Sequence, residues 1–266
     1  MIIDVNAFLG HYAFRRLRHN SAMELLAIMD HFGIARACVA SAEAILYRDS
    51  HMGNVMLHEE TLPYPERFWC YATINPAYAE WRHDLRECLD WGFKGLRLYP
   101  KHHGYSLQDL ETARLIGAAA EAGMAVSIPS RVEDPRQRHW RDIEATVSIE
   151  EVLSAAEAHP KATFILTESV PPLQPDSTIW TRMRRVNFYL EMSRMTALME
   201  NSIGFLMQHL GDDRILFGTG LPFKTPSASF LKMLALDASD DAKQKVFRDN
   251  AWHIFGDSLL KPQSEK

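Results

Sequence analysis

Phe93-Lys94-Gly95-Leu96-Arg97-Leu98-Tyr99 is a short run, apolar on both faces, followed by Pro100 and then by a helical pattern from Ser106 to Gly123. In that pattern Leu107, Leu110, Leu115 and Ile116 fall at helical spacing, and Gly123 stands where a helix takes a left-handed cap. A strand covered on both faces belongs to a parallel sheet, and strand followed by helix is the repeating unit of α/β folds.

The unit recurs in both directions. Further apolar runs are Ile2–Val5, Ala37–Ala40, Phe68–Ile74, Met124–Ile128, Thr163–Leu166, Asn187–Met192 and Arg214–Phe217. Helical patterns separate them. Ser21-Ala22-Met23-Glu24 and Ser148-Ile149-Glu150-Glu151 are capping boxes, the first helix stopping at Gly33 and the second at His159-Pro160. Met56–Leu62, Trp81–Trp91, Met195–Leu210, Ser227–Leu236 and Asp241–Phe255 complete the set. Eight alternations predict a single (β/α)8 TIM barrel over residues 1–256, with 257–266 as a flexible C-terminal tail. An open doubly wound sheet calls for a glycine-rich turn after the first strand, and Asp4–His11 holds only Gly10.

Composition narrows the function classes. Hydrophobic residues make up 47% and charged residues 24% of the 266, which excludes a disordered or fibrous chain. Lys and Arg number 29 against 34 Asp and Glu, a net charge of −5 that argues against a nucleic-acid partner. Cys38, Cys70 and Cys88 are too few and too far apart for a disulfide framework or a paired-cysteine metal site. The N-terminus has no basic segment leading into an apolar one, and no run suits a membrane span. The expectation is a cytoplasmic protein with a small-molecule substrate, no membrane partner, and self-association into a homodimer or larger.

Barrel active sites lie at the C-terminal ends of the strands. The first strand delivers Asp4, Asn6 and Phe8, then Gly10-His11-Tyr12; the fourth delivers Arg97 and Tyr99, then His102-His103; the last reads Arg214-Ile215-Leu216-Phe217-Gly218-Thr219-Gly220-Leu221-Pro222. The terminal helix ends Asn250-Ala251-Trp252-His253-Ile254-Phe255-Gly256. These segments, in this order, resemble the amidohydrolase superfamily, specifically its amidohydrolase-related branch of decarboxylases, hydratases and lactonases. The resemblance spans nearly the whole chain and implies a metal held by two first-strand histidines, a fifth-strand histidine and a last-strand aspartate. At those positions stand Asn6, Phe8, the histidine-free Ala125–Ser130 and Gly220, while a frequent sixth-strand histidine is replaced by Thr167 or Glu168. Phe and Gly offer no donor and Asn is a weak ligand. The expectation is therefore a metal-independent site without cofactor. The alternative is one divalent transition metal in a rearranged site using His11, His102, His103 or Glu168.

Opening an activated ester without metal needs a general base and groups that hold the oxyanion. Glu168 and Glu191 each close a very apolar run, where burial raises a carboxyl pKa. Glu168 is the candidate base and Glu191 its orienting partner; the plain alternative is a buried salt bridge to Arg97, Arg131 or Arg194. His11 and His139 are candidates to protonate a leaving oxygen. Arg131, Glu133 and Arg136 belong to a charged loop after the fifth strand that carries four arginines between 131 and 142, suited to an anionic substrate or to mutual ion pairing. Asn6 and Tyr99 are candidates to bind substrate. On an extended chain only one of His102 and His103 faces the site, and His102 is taken as the substrate-binding one. Pro171–Pro175, Trp180 and Arg182–Arg185 read as a stiff loop over the mouth or a subunit contact.

The first expectation is a hydrolase acting on a small anionic or polyhydroxylated substrate such as a lactone. A decarboxylase or hydratase of the same branch is the alternative, and a non-catalytic ligand-binding barrel is the third.

Overall fold

The computed structural model describes residues 1–171, 174, 177–196 and 201–256. Eight strands pair in parallel and in chain order: β1 (Ile2–Leu9), β2 (Ile34–Ser41), β3 (Phe68–Thr73), β4 (Gly95–Arg97), β5 (Ala125–Pro129), β6 (Phe164–Thr167), β7 (Phe188–Glu191) and β8 (Ile215–Leu216). The seam between β8 and β1 is closed by Val5 N–H to Phe217 O (3.0 Å), Gly220 N–H to Asn6 O (2.8 Å) and Phe8 N–H to Leu221 O (2.7 Å). The predicted (β/α)8 barrel is the fold.

Strand alternation sorts the side chains into two apolar layers. Leu96, Val126, Ile128, Phe164, Leu166, Phe188 and Leu190 pack outward under the helices. Ile3, Val5, Cys38, Tyr71, Ala125, Ile165, Tyr189 and Leu216 fill the interior. A buried leucine such as Leu96 contributes roughly 2 kcal/mol relative to exposure, so every strand is pinned in register from its outer face. The inner face at the strand tops is left free to be polar.

β1 carries an irregularity that matters there. Asp4 is opposite Ala37 and Ala7 opposite Val39, so three steps on β1 match two on β2. A bulge of this kind re-aims a side chain, and here Asn6 reaches across the mouth.

Both helices form as the sequence predicts, Ala22–Phe32 from Ser21 to a left-handed Gly33 (φ 70°) and Ile149–Ala158 from Ser148; the box is reciprocal at Ser148, whereas at Ser21 the Glu24 carboxylate takes the serine hydroxyl instead of the backbone N–H. Other segments differ. Pro100–His103 is a turn of helix, because Pro100 sits at a first helical position where its missing N–H is harmless. Thr178–Arg184 is a helix capped by Ser177, so Trp180 is buried and Arg182 pairs with Glu150 and Glu157 instead of covering the mouth. Pro172, Leu173, Pro175, part of the Met195–Leu210 pattern and the 257–266 tail lie outside the described residues. Among the described residues no helix is long and apolar enough to cross a membrane.

Candidate active site

At the tops of β6 and β7 two carboxylates meet. Glu191 ends β7; Glu168 follows β6 with a left-handed backbone (φ 56°) that a non-glycine residue adopts at a cost of about 1 kcal/mol. Both are fully buried. Asn6 Nδ2 donates to Glu168 Oε1 at 2.7 Å and lies 3.2 Å from Glu191 Oε2. The other oxygen of Glu168 takes Arg194 Nε and Lys224 Nζ, each at 2.6 Å. Glu191 accepts from the Ser193 N–H and from the Glu168 N–H. Ser193 Oγ accepts from Lys224 Nζ (2.7 Å) and lies nearer Glu191 Oε2 (2.9 Å) than Glu168 Oε1 (3.2 Å), so its one proton points best at Glu191.

These surroundings drive the two acids apart. Burial pushes Glu168 up, but the Lys224 and Arg194 charges and the hydrogen bonds from Lys224 and Asn6 outweigh it, and the net is below the ordinary value. Burial pushes Glu191 up, and the charge of Glu168 adds to it against the opposition of Lys224 and Ser193. Of the two, Glu191 is the acid that favours a proton.

Asp4 lies beneath. Its carboxylate accepts from the Asn6 N–H (2.9 Å), the Thr219 N–H (3.0 Å) and the Thr219 hydroxyl, joining β1 to the segment after β8. Burial still lifts it to about 7. Gly218 and Gly220 line the same corner, where a Cβ on Gly218 would run into Glu191 and one on Gly220 would stand 3.0 Å from Glu168 Oε1.

The rim is built by loops. Arg15 pairs with Glu133 (3.0 Å) and donates to Phe223 O (2.9 Å), Arg194 pairs with Asp134 (3.3 Å), and the Tyr12 hydroxyl donates to Asp142 (2.7 Å). Val132 and Phe223 pack into the interior cluster, so the loop after β5 roofs the barrel. A cavity of about 340 Å³ opens beside it, lined among others by Arg15, Glu133, Gln137, Arg194, Phe223 and Lys224.

Of the residues singled out from the sequence, Asn6, Glu168 and Glu191 come together, and Tyr99 is buried at the end of β4. Burial outweighs the neighbouring Arg97 charge and pushes the Tyr99 phenol up to about 12. Arg131 is partly exposed at the roof; burial, with Arg194 next, lowers its pKa. Glu133 lines the cavity near Lys224; His11, His139, Arg136 and His102 lie away from the acid pair. His11 is exposed, its ring against Asn20 and its N–H on Glu43, because the turn at Gly10 directs it outward. His139 is exposed and stacks on Phe14 (5.3 Å). Arg136, with its side chain 88% exposed, is taken up by Asp134. Glu133 is held by Arg15. The helical turn half-buries both histidines and turns neither toward the acid pair: His102 sits 3.6 Å from Asp142, and His103 Nε2 lies 3.0 Å from Ala44 O. Burial lowers the pKa of each.

Lys224 and Ser193 escaped the sequence reading altogether, because each follows its strand at a distance that no periodicity marks. Arg194 and Arg97 were seen only as partners for Glu168.

The donor set at the mouth does not suit a divalent transition metal. Asn6, Phe8 and Gly220 occupy the positions the resemblance gives to ligands, and the oxygens of Glu168 and Glu191 are taken by N–H, hydroxyl and ammonium donors. Among the described residues no three His, Cys, Asp or Glu side chains gather as a metal site, and His11, His102 and Glu168 are dispersed.

A parallel barrel with paired carboxylates at its C-terminal mouth defines the class as a TIM-barrel protein with an enzyme-like site. The amidohydrolase family model matches residues 9–256, and the chain belongs to that family. No functionally curated protein is similar to it in sequence. Similar solved structures include 2,6-dihydroxybenzoate decarboxylase from Rhizobium (17% identity, TM-score 0.71, covering 96% of this chain and 98% of that one). Another is dihydroxybenzoic acid decarboxylase from Polaromonas with manganese and 2-nitroresorcinol bound (17%, 0.73, 96% of each chain). A third is 5-carboxyvanillate decarboxylase from Sphingomonas paucimobilis (16%, 0.72, 96% and 98%). At these identities the likeness concerns the fold.

Proposed function

We propose that this chain is a decarboxylase of the amidohydrolase family that works at the barrel mouth on a small carboxylic acid without a bound metal. The observation that carries the reading is the asymmetric buried acid pair: Glu168 is ion-paired to Arg194 and Lys224 at 2.6 Å, while Glu191 has no cation on it among the described residues and faces Ser193, so a proton shared by the two favours Glu191. Non-oxidative decarboxylation consumes one proton: the C–CO2 bond breaks, carbon dioxide leaves, and the electron pair left on carbon takes up H⁺. Glu191 stores that proton. Ser193 Oγ and Lys224 Nζ form a continuous hydrogen-bonded line between Glu191 and the cavity. Lys224 gives a proton to carbon, and the serine hydroxyl then turns from Glu191 to donate to the neutral amine, passing it a proton as it takes one from Glu191. General acid catalysis of this kind is worth about 10²–10⁴-fold.

Hydrolysis of a lactone draws on the opposite property. It needs Glu168 as a base, and two cations at 2.6 Å make that carboxylate a poor one. The cavity volume suits a ring-sized acid. The decarboxylases of similar fold act on hydroxylated aromatic acids, which makes these the first substrates to try.

The test is to treat the protein with chelator and incubate it in D2O with 2,6-dihydroxybenzoate, 5-carboxyvanillate and a panel of lactones. Release of carbon dioxide with one deuterium at the vacated carbon is expected. Lactone opening without carbon dioxide would return the hydrolase reading, and activity restored only by added manganese would end metal independence.

A further inference from the structure

The interior holds a cation that the acid pair does not use. Arg97 is 0% exposed, and among the described residues its one side-chain hydrogen bond runs from Nη1 to Asn6 Oδ1 (2.9 Å). Nε and Nη2, the guanidinium edge that grips a carboxylate with two parallel N–H bonds, have no hydrogen-bond partner among the described residues. Stacking on Tyr71 (4.4 Å) and Phe8 (5.2 Å) steadies the charge but accepts no N–H hydrogen bond along that edge.

The neighbours are unpartnered in the same way. Thr73 Oγ1, Ser127 Oγ, Thr167 Oγ1 and Tyr99 OH are all buried without a hydrogen-bond partner among the described residues. Thr73, Arg97 and Ser127 are directly opposite one another on β3, β4 and β5, so their side chains share the inner face. On β6 the partner of Ser127 is Ile165, and Thr167 stands on the same face two residues nearer the mouth, as Tyr99 does beyond Arg97. A buried polar group left unpaired is costly, and an uncompensated buried cation more so. Five residues on adjoining steps of one inner face with this defect, every one able to donate, describe a receptor for something that only accepts.

We infer that the inner ends of β3 to β6 form a carboxylate subsite, with Arg97 Nε and Nη2 as its bidentate clamp and the Tyr99, Ser127, Thr73 and Thr167 hydroxyls around it. A carboxylate supplies the negative charge that Arg97 lacks and lone pairs for the hydroxyls; a neutral amide supplies no charge, and a tetrahedral phosphate matches the planar clamp less well. Because Asn6 links Arg97 to Glu168 and Glu191, the bound group lies one side chain away from the acid pair. The inference names the substrate class of the proposed decarboxylase and rests on that reading only for what happens after binding. Entry requires the roof to lift, since only about 10 Å³ is free beneath it between Tyr99, Arg131 and Val132.

The probe is benzoate, with benzamide and inorganic phosphate as controls, read by titration calorimetry and by Tm. Benzoate is expected to bind and raise Tm by several degrees near saturation, benzamide and phosphate at least tenfold more weakly. Arg97→Met is expected to lose benzoate binding. Should that variant fail to fold, Tyr99→Phe and Ser127→Ala are each expected to weaken benzoate by about five- to tenfold. Equal binding of benzamide or phosphate, or unchanged benzoate affinity in these variants, would overturn the subsite. The two readings part cleanly. Arg97-dependent benzoate binding with no carbon dioxide from any acid keeps the subsite and removes the decarboxylase. Carbon dioxide release with unchanged KM in Arg97→Met does the reverse.

Discussion

Lys224 Nζ stands 2.6 Å from Glu168 Oε2, and it has room to do so because residue 220 has no side chain. A Cβ there would lie 3.0 Å from both Glu168 Oε1 and Lys224 Cδ, on a backbone with φ 73°. The resemblance puts an acidic ligand at this position. Its loss to glycine removes one negative charge and admits an ammonium in the same corner. Gly220→Ala is therefore expected to cost about 1–3 kcal/mol, from left-handed strain plus the crowding of Glu168. Gly33→Ala is the control, since Gly33 has nearly the same φ (70°) but nothing within 4 Å of a new Cβ, and is expected to lose only about 1 kcal/mol. Urea unfolding at constant m measures both, and equal losses would remove the packing role.

Removing the ammonium tests the charge. Lys224→Met leaves Glu168 one paired cation, Arg194, beside the Asn6 hydrogen bond, and burial then lifts its carboxyl. In the native protein the lowered pKa of Glu168 contributes stability above its unfolded value near 4.5, lost as pH falls through the folded one. The variant is expected to lose about 1–3 kcal/mol at pH 7, the partial exposure of Lys224 keeping the figure low, and to lose much less at pH 4. Urea midpoints at the two pH values decide it; an equal loss at both would mean that Lys224 acts by packing.

The barrel was legible because it rests on alternation and helix caps, which are local. Leu96 and Leu98 flank Arg97 in the sequence, and the same alternation that buries the leucines outside sends Arg97 inside. Glu168 and Glu191 were legible for a related reason, a charge ending an apolar run. His11, His139 and Arg136 were misplaced because proximity to a strand end in sequence says nothing of direction once a turn intervenes; Gly10 with φ 92° is enough to face His11 outward. Lys224 and Ser193 were illegible because their roles depend on a corner where β6, β7 and β8 meet, and no spacing encodes that meeting. His102 and His103 failed on one assumption, an extended chain after Pro100, where the proline instead opens a helical turn.

Asp4 gives the fold a pH signature. Burial raises its pKa from 3.8 to about 7, against the hydrogen bonds from Thr219 and Asn6. Between those values the folded chain keeps a proton that the unfolded chain has released, so stability falls as pH rises from about 4 to 7 and is flat above. Three pKa units correspond to roughly 4 kcal/mol. Glu191, also raised, adds to this fall, while Glu168 opposes it at the acid end. Asp4→Asn retains an acceptor for the two N–H groups and has no proton to lose. Its Tm is expected to vary less between pH 5 and 7 than that of the native chain. A parallel pair of Tm profiles would show that Asp4 does not titrate in this window.

The roof over the barrel is tied at Asp142. Tyr12, just beyond β1, donates its hydroxyl to Asp142 Oδ2 (2.7 Å), and the Ile143 N–H holds Oδ1 (2.7 Å). Burial, with the nearby Asp142 charge, pushes the Tyr12 phenol up, so it remains a donor throughout the working range. Tyr12→Phe keeps the ring against Phe223 and deletes only that donor. Asp142, buried, is then left with one satisfied oxygen, and the expected loss is about 1–3 kcal/mol. If the tie governs the roof, the loss is local: amide exchange across 131–142 accelerates while exchange in β5 and β6 keeps its rate. Since Arg97 and Tyr99 lie beneath that roof, the same variant is expected to bind and release benzoate faster with little change in Kd. Exchange that speeds up equally in the strands would mean that Tyr12 holds the whole barrel and not its roof.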